Sequence, residues 1–356
     1  MNIIEYIKKY DFTFEEKEFN EVDNLVFSCL AYVNFKNIVK NKITLYDASI
    51  IFDRLYKKSD YRYDMSAVKG ANKLLNLLKN SKRFKDVILC NYEYIGNDKE
   101  QFSAITFIIN KKLSYVAFEG TDKLISGWHE DLAMSYKFKV PSQKDAIKYL
   151  NKNFTFENKK IIVGGHSKGG NLALVASMYA NKIVRRKIIK IYSNDGQGLR
   201  KTEIESMRYK KIYNKYNHII PYNSFVGILL RHEPFCDSTI IDSTLPMILS
   251  HSISSWIIED DHFVRREISK NSLKLDKIVI NWLDKYDYET RKYFVNDIFN
   301  VIEKNNIKDI SEVKKNYFKL IRLLKNSNYL SDKSKQMLND LKEVIKEINK
   351  VMEKEN

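Results

Sequence analysis

The chain has 356 residues, is 44% hydrophobic and carries a formal net charge of +16. Its length and apolar content support a globular protein with one substantial core and an appended second unit, and exclude a disordered chain. The Lys and Arg residues are spread among many Ile, Asn and Tyr rather than gathered into a basic stripe with interleaved aromatics. This argues against nucleic acid as a partner and leaves weak association with an anionic membrane surface as the charge-based expectation.

The first eleven residues are charged and lack an apolar stretch followed by a small-residue cleavage site, so no signal peptide is read there. Residues 1–80 read as mainly helical. Apolar side chains recur at helical spacing over 19–33 and 66–78, with a third helix expected over 44–56. No chemistry-bearing pattern stands out in this segment. From Lys85 the rhythm changes to strands over 86–94, 101–109 and 113–118, with Asn110-Lys111-Lys112 as the turn between the last two.

The third strand ends in Val116-Ala117-Phe118-Glu119-Gly120-Thr121-Asp122, followed by Gly127-Trp128-His129-Glu130-Asp131-Leu132. Acyl transfer needs an oxyanion donor from a loop after an earlier strand, and Thr121 can supply its amide and hydroxyl there. An ordinary loop with Thr121 capping a turn fits equally. Asp122, Glu130 and Asp131 have only His129 beside them and no paired ligand spacing, so they read as a solvated loop rather than a metal site.

A helix over 141–154 leads to a strand over 159–163 and then to Gly164-Gly165-His166-Ser167-Lys168-Gly169-Gly170. Gly165-His166-Ser167-Lys168-Gly169 fits the G-x-S-x-G nucleophile elbow, in which a serine sits on a strained strand-to-helix turn with its hydroxyl exposed. The Lys168 amide falls in the first helical turn, where free N–H groups and the helix dipole stabilise an oxyanion. The rival reading is a tight phosphate-cradling turn, but no Gly-Lys-Ser/Thr ending follows the glycines.

The helix after Ser167 runs to about Tyr179, and a strand over 188–193 ends in Asn194-Asp195-Gly196. Asp195 can orient a catalytic histidine from that strand end, although Asp-Gly is also common turn chemistry. Residues 211–216 with Asn217-His218-Ile219-Ile220-Pro221 form a further strand-to-loop junction. An apolar turn over 224–230, too short to cross a bilayer, and a short strand over 239–242 follow. His251 comes after the last strand and preserves the order Ser, Asp, His. His218, His232 and His262 compete with it, His262 and His218 most closely.

Residues 268–356 contain neither Gly nor Pro and read as several helices, among them 296–304, 311–325 and 331–354. The division expected is a domain over 1–265 and a helical C-terminal extension over 266–356. Cys29, Cys90 and Cys236 are sparse and show no ligand spacing, which points to a reducing, cytoplasmic setting without disulfides.

The segments around Thr121, Trp128 and Ser167 resemble motifs of an uncharacterised bacterial lipase-like family, a domain-of-unknown-function branch of the α/β-hydrolases related to class 3 lipases. Residues 19–25, Asp195-Gly196-Gln197-Gly198, 224–230 and 251–263 extend the resemblance over roughly 1–265. It implies an α/β-hydrolase fold with a mostly parallel, doubly wound sheet and a helical N-terminal segment. It also implies Ser167 as nucleophile, His251 as base and the amides of Thr121 and Lys168 as oxyanion donors. Class 3 lipases usually have arginine at the position of Glu119 and a hydrophobic residue at that of Lys168. The related family commonly has proline at Gln197. The acid of class 3 lipases usually follows a later strand, near Asn217 to Pro221, where no aspartate stands. Asp195 is therefore the first choice, with Asp237 and Asp242 in reserve.

The function expected is a cytoplasmic serine hydrolase that cleaves lipid or small-molecule carboxylic esters through Ser167, His251 and Asp195 without metal or organic cofactor. The alternative is a catalytically inactive hydrolase-fold protein that binds a protein partner or an anionic membrane.

Overall fold

Alternating apolar side chains send half of each central strand into one core and half into another, so the sheet must be covered on both faces. The computed structural model describes residues 1–56, 70–222, 224–232, 237–267, 270–305, 307 and 330–352. In chain order these form α1 (Ile3–Lys9), α2 (Glu21–Leu30), β1 (Ile43–Thr44), α3 (Leu45–Leu55), α4 (Ala71–Leu78), β2 (Ile88–Asn97), β3 (Glu100–Ile108) and β4 (Leu113–Phe118). Next come α5 (Ile125–Ala133), α6 (Pro141–Phe154), β5 (Lys160–His166), α7 (Lys168–Tyr179), α8 (Lys182–Lys187), β6 (Ile188–Asn194), α9 (Lys201–Ile204) and α10 (Met207–Lys210). The remainder holds β7 (Tyr216–Pro221), β8 (Thr239–Ile241), β9 (Ile258–Glu259), β10 (His262–Phe263), α11 (Lys270–Asp284), α12 (Tyr288–Lys304) and a helix over Asp332–Met352.

β1 to β8 form one eight-stranded sheet in sequential order. β1 to β4 pair antiparallel, and β4 to β8 pair parallel. With strands added in one direction, right-handed crossovers keep α6 and α7 on one face. Val116 and Phe118 of β4 meet Tyr149 and Leu150 of α6 and Leu172 of α7 there. Tyr115 and Ala117 point the other way, into a core built with Leu25, Val26 and Phe27 of α2. The fold is α/β: a sheet whose second half is parallel, with helices on both faces.

The N-terminal layer is fastened by Arg83, whose side chain is fully buried. Its guanidinium donates to both oxygens of Asp23 at 2.7 and 2.5 Å and to the carbonyls of Phe12, Thr13, Lys17 and Glu18. Phe27 completes the layer through ring contacts with Phe84, Phe107 and Tyr115. Fully burying such a side chain contributes about 1.5–3 kcal/mol.

The C-terminal helices pack on β7, β8 and segments that follow the strands. Ile278 and Val279 of α11, with Ile348 and Val351, meet Ile220, Ile228 and Ile240. Val301 and Ile302 of α12 lie against Ile125 of α5, and Phe299 meets His129 edge to face at 4.7 Å.

Two sequence expectations change. The strand expected near 211–216 is delayed: α10 and a 3₁₀ turn at Tyr213–Lys215 occupy that stretch, and the strand is Tyr216–Pro221. The loop expected around Gly127 to Leu132 is helix α5, and it buries Glu130. Residues 66–69, Cys236, the helix expected over 311–325 and the last two residues of that expected over 331–354 lie outside the described residues.

Candidate active site

β5 runs directly into α7, and Ser167 sits at the junction with φ 58° and ψ −131°. Holding a non-glycine residue there costs of order 1–3 kcal/mol, so the surroundings must fix it. The Ser167 amide donates to the Asn194 carbonyl at 3.0 Å, and the Gly170 amide donates to the Ser167 carbonyl at 2.9 Å. The flanking glycines serve close approach: a Cβ on Gly165 would be driven into the backbone of Gly169, and one on Gly169 into the Phe118 carbonyl. Ser167 itself is half-buried.

β6 ends at Asn194, and Asp195 follows with φ 49° and a fully buried side chain. Asp195 Oδ2 lies 2.6 Å from His251 Nδ1. The Ser224 hydroxyl reaches Oδ1 at 2.6 Å and Oδ2 at 2.8 Å. The structure therefore brings together Asp195 and His251, both expected in one site, and adds Ser224, whose place in an apolar turn gives no sign of this role. The reserve residues lie elsewhere. Asp237 pairs with the Tyr213 hydroxyl, and Asp242 meets the Ser243 amide at 2.9 Å and Arg266 at 3.5 Å. His262 sits beside Asp261 in a largely exposed pair. His218 stacks on His232 at 3.6 Å, where burial pushes both imidazole pKa values down.

Lys168 follows Ser167 in the elbow, and Thr121 lies just beyond β4, the strand paired with β5. The Thr121 hydroxyl donates to Asp131 Oδ2 at 2.5 Å, so the donor it can turn toward an incoming group is its amide. The Lys168 amide heads α7, where it has no acceptor within the helix. Its fully buried ammonium donates to the Gln101 carbonyl at 2.7 Å, Gln101 Oε1 at 2.8 Å and Glu130 Oε2 at 3.0 Å. Glu130 also accepts the amides of Ser142 at 3.0 Å and Gln101 at 3.3 Å. Asp122 Oδ1 accepts the Leu124 amide at 2.7 Å. The carboxylates expected on a solvated loop are thus hydrogen-bonded into the body, because α5 packs its acidic side inward. Burial raises the Asp131 carboxyl pKa to about 6.

Beneath the elbow, α2 contributes a polar stripe that its apolar periodicity concealed. Asn24 and Asn194 exchange side-chain hydrogen bonds at 2.8 and 3.1 Å, and the Asn194 side-chain amide also donates to Ser28 Oγ at 3.0 Å and to the Gly165 carbonyl at 3.2 Å. This network ties the ends of β5 and β6 to each other and to α2. A buried Asn-x-x-x-Ser spacing on one helix face is the signal that could have revealed it.

Among the described residues no group of three or more His, Cys, Asp or Glu side chains is arranged to hold a metal. Nor is any described helix long and apolar enough to cross a membrane.

The family model described as Mbeg1-like matches residues 78–300. The chain belongs to the Mbeg1-like family. Thr121, Ser167, Lys168, Asp195, Ser224 and His251 of this Mbeg1-like protein all fall inside the matched stretch, whereas α1 to α3 and the helix Asp332–Met352 fall outside it. Among solved structures, it is similar to the Rhizomucor miehei lipase propeptide complex, at 12% identity over 63% of this chain and 69% of that one, with a TM-score of 0.36. It is also similar to a mutant form of MDLA from Penicillium cyclopium, at 13% identity, 69% and 84% coverage and a TM-score of 0.38. A lipase from Rhizopus microsporus var. chinensis matches at 13% identity, 71% and 81% coverage and a TM-score of 0.36. No curated protein matches the Mbeg1-like chain.

Proposed function

We propose that this protein is a serine hydrolase that cleaves carboxylic esters of lipids or small acyl compounds. The observation that supports it is the 2.6 Å pairing of His251 Nδ1 with Asp195, which follows the strand next to the one that delivers Ser167 in its strained turn. In this reading Asp195 accepts the Nδ1 proton of His251 and so leaves Nε2 as the base. His251 Nε2 takes the Ser167 hydroxyl proton as Oγ bonds to the acyl carbon. The amides of Thr121 and Lys168 receive the negative charge that develops on the former carbonyl oxygen. The proton then passes to the leaving alkoxide, the acyl-enzyme remains, and water activated by the same histidine releases the acid.

Cys29 and Cys90 are free and buried, which is compatible with the cytoplasmic setting we include in the proposal. The test is hydrolysis of p-nitrophenyl esters from acetate to palmitate by the wild type and by Ser167→Ala. We expect turnover by the wild type and a loss of about 10³-fold or more in the variant. Equal turnover by both proteins would overturn the reading.

A further inference from the structure

Two histidines lie side by side at the elbow. His166 is fully buried immediately before Ser167, and its ring stands 4.4 Å from that of His251, centroid to centroid, at 31°. His166 Nε2 is 2.9 Å from the His251 carbonyl oxygen, and its Nδ1 is 3.0 Å from the Tyr32 hydroxyl. A carbonyl only accepts, so Nε2 carries the proton. Burial, with His251 adding to it, holds the His166 pKa well below the ordinary value. The ring is therefore neutral, and its Nδ1 lone pair takes the proton that Tyr32 donates. The Tyr32 hydroxyl also lies 3.3 Å from the His166 carbonyl, so it holds His166 at both ring and backbone, and His166 in turn donates to the His251 backbone.

We propose that His166 and Tyr32 are positioning residues for His251, acting through its main chain. This rests on the ester-hydrolase reading above. Asp195 fixes one end of the His251 imidazole, but where the ring starts is set by the backbone, and that backbone belongs to a short 3₁₀ segment, Met247–His251. Trp256 Nε1 donates to the Ser250 carbonyl at 3.0 Å, and His166 holds the next carbonyl, that of His251. Two consecutive carbonyls are thus pinned by buried donors, which leaves Nε2 little freedom of aim. Functional side chains must be held to about 0.5 Å, and a 1 Å misplacement can cost about 10²-fold in rate. Tyr32 lies outside the family-matched stretch, so the N-terminal segment becomes a working part of the site.

The test compares Tyr32→Phe, His166→Ala and His166→Gln for ester hydrolysis. It also follows the His251 Nδ1–H resonance by NMR in each variant on a Ser167→Ala background. The expected result is a kcat roughly ten- to a hundred-fold lower in His166→Ala with KM little changed, and a smaller fall in Tyr32→Phe. His166→Gln should recover most of kcat, because its amide can still donate to the His251 carbonyl. The resonance should be shifted or lost in His166→Ala and kept in His166→Gln. Tyr32→Phe retains the ring and decides the matter should His166→Ala fail to fold. Wild-type kcat and an unmoved resonance in folded Tyr32→Phe or His166→Ala would overturn the proposal. If the wild type turns over no ester while the resonance responds as expected, the ester reading fails and the positioning role stands.

Discussion

Glu130 and Lys168 are 38 residues apart in sequence, yet their side chains meet at 3.0 Å with almost no exposure to solvent. The next residue of α5, Asp131, takes the Thr121 hydroxyl. Two consecutive carboxylates of one helix therefore grip the side chains of the two residues whose amides form the proposed oxyanion pocket. This also accounts for a lysine where class 3 lipases usually have a hydrophobic residue: its charge is met by three acceptors.

Breaking a buried pair leaves the remaining charge uncompensated, at a cost of about 3–5 kcal/mol. Lys168→Met and Glu130→Gln should each approach that loss in urea unfolding, and the double variant should lose less than the sum. Single losses below about 1 kcal/mol would show that the pair is dispensable.

Asp131 sets a pH dependence of opposite sign to the usual salt-bridged carboxylate. Its pKa is raised from 3.8 to about 6, chiefly by burial, and its Oδ1 has no hydrogen-bond partner among the described residues. The folded protein therefore binds this proton more tightly than the unfolded chain does. The associated stability is fully present below about pH 4 and is lost as pH rises through about 6. Asp131→Asn, whose side-chain oxygen can still accept from Thr121, should gain on the order of 1–3 kcal/mol over the wild type at pH 8 and nothing at pH 4. Denaturant titrations at the two pH values check this, and an equal effect at both would contradict it.

The Ser224 hydroxyl touches both oxygens of Asp195. A hydrogen bond to a charged acceptor is worth about 1.5–3 kcal/mol. Ser224→Ala should lower kcat by roughly ten-fold or more while KM for short esters stays near the wild-type value. Steady-state kinetics at saturating ester would reveal it.

Arg83 joins Asp23 of α2 to four backbone carbonyls of the preceding loop. Arg83→Leu should destabilise the fold by about 3–5 kcal/mol. Hydrogen exchange should quicken first in α1 and α2, and uniform loss of protection across the sheet would contradict a local anchoring role.

The strands and helices nearest Ser167 were legible because they depend on short spacing: a β-branched run, paired glycines and an apolar helix. Helix 141–154 is legible to the residue; Asp195 is legible from its strand-end position and His251 from the chain order Ser, Asp, His. What was hidden depends on partners distant in sequence. Glu130 looked like a solvated acid until Lys168, on another element, reached it. Asn24 and Ser28 lay within an apolar pattern, and only Asn194, 170 residues after Asn24, shows what they hold. His166 filled a variable position of the motif, and its meaning comes from Tyr32 and the His251 carbonyl.

The proposed hydrolysis depends on activation of Ser167 by His251 and Asp195. The most direct test is covalent labelling of the purified protein by a fluorophosphonate probe, with Ser167→Ala and His251→Ala alongside. The wild type should be labelled, and the label should disappear in both variants. A folded wild type that takes no label, or a Ser167→Ala variant that labels equally well, would contradict it.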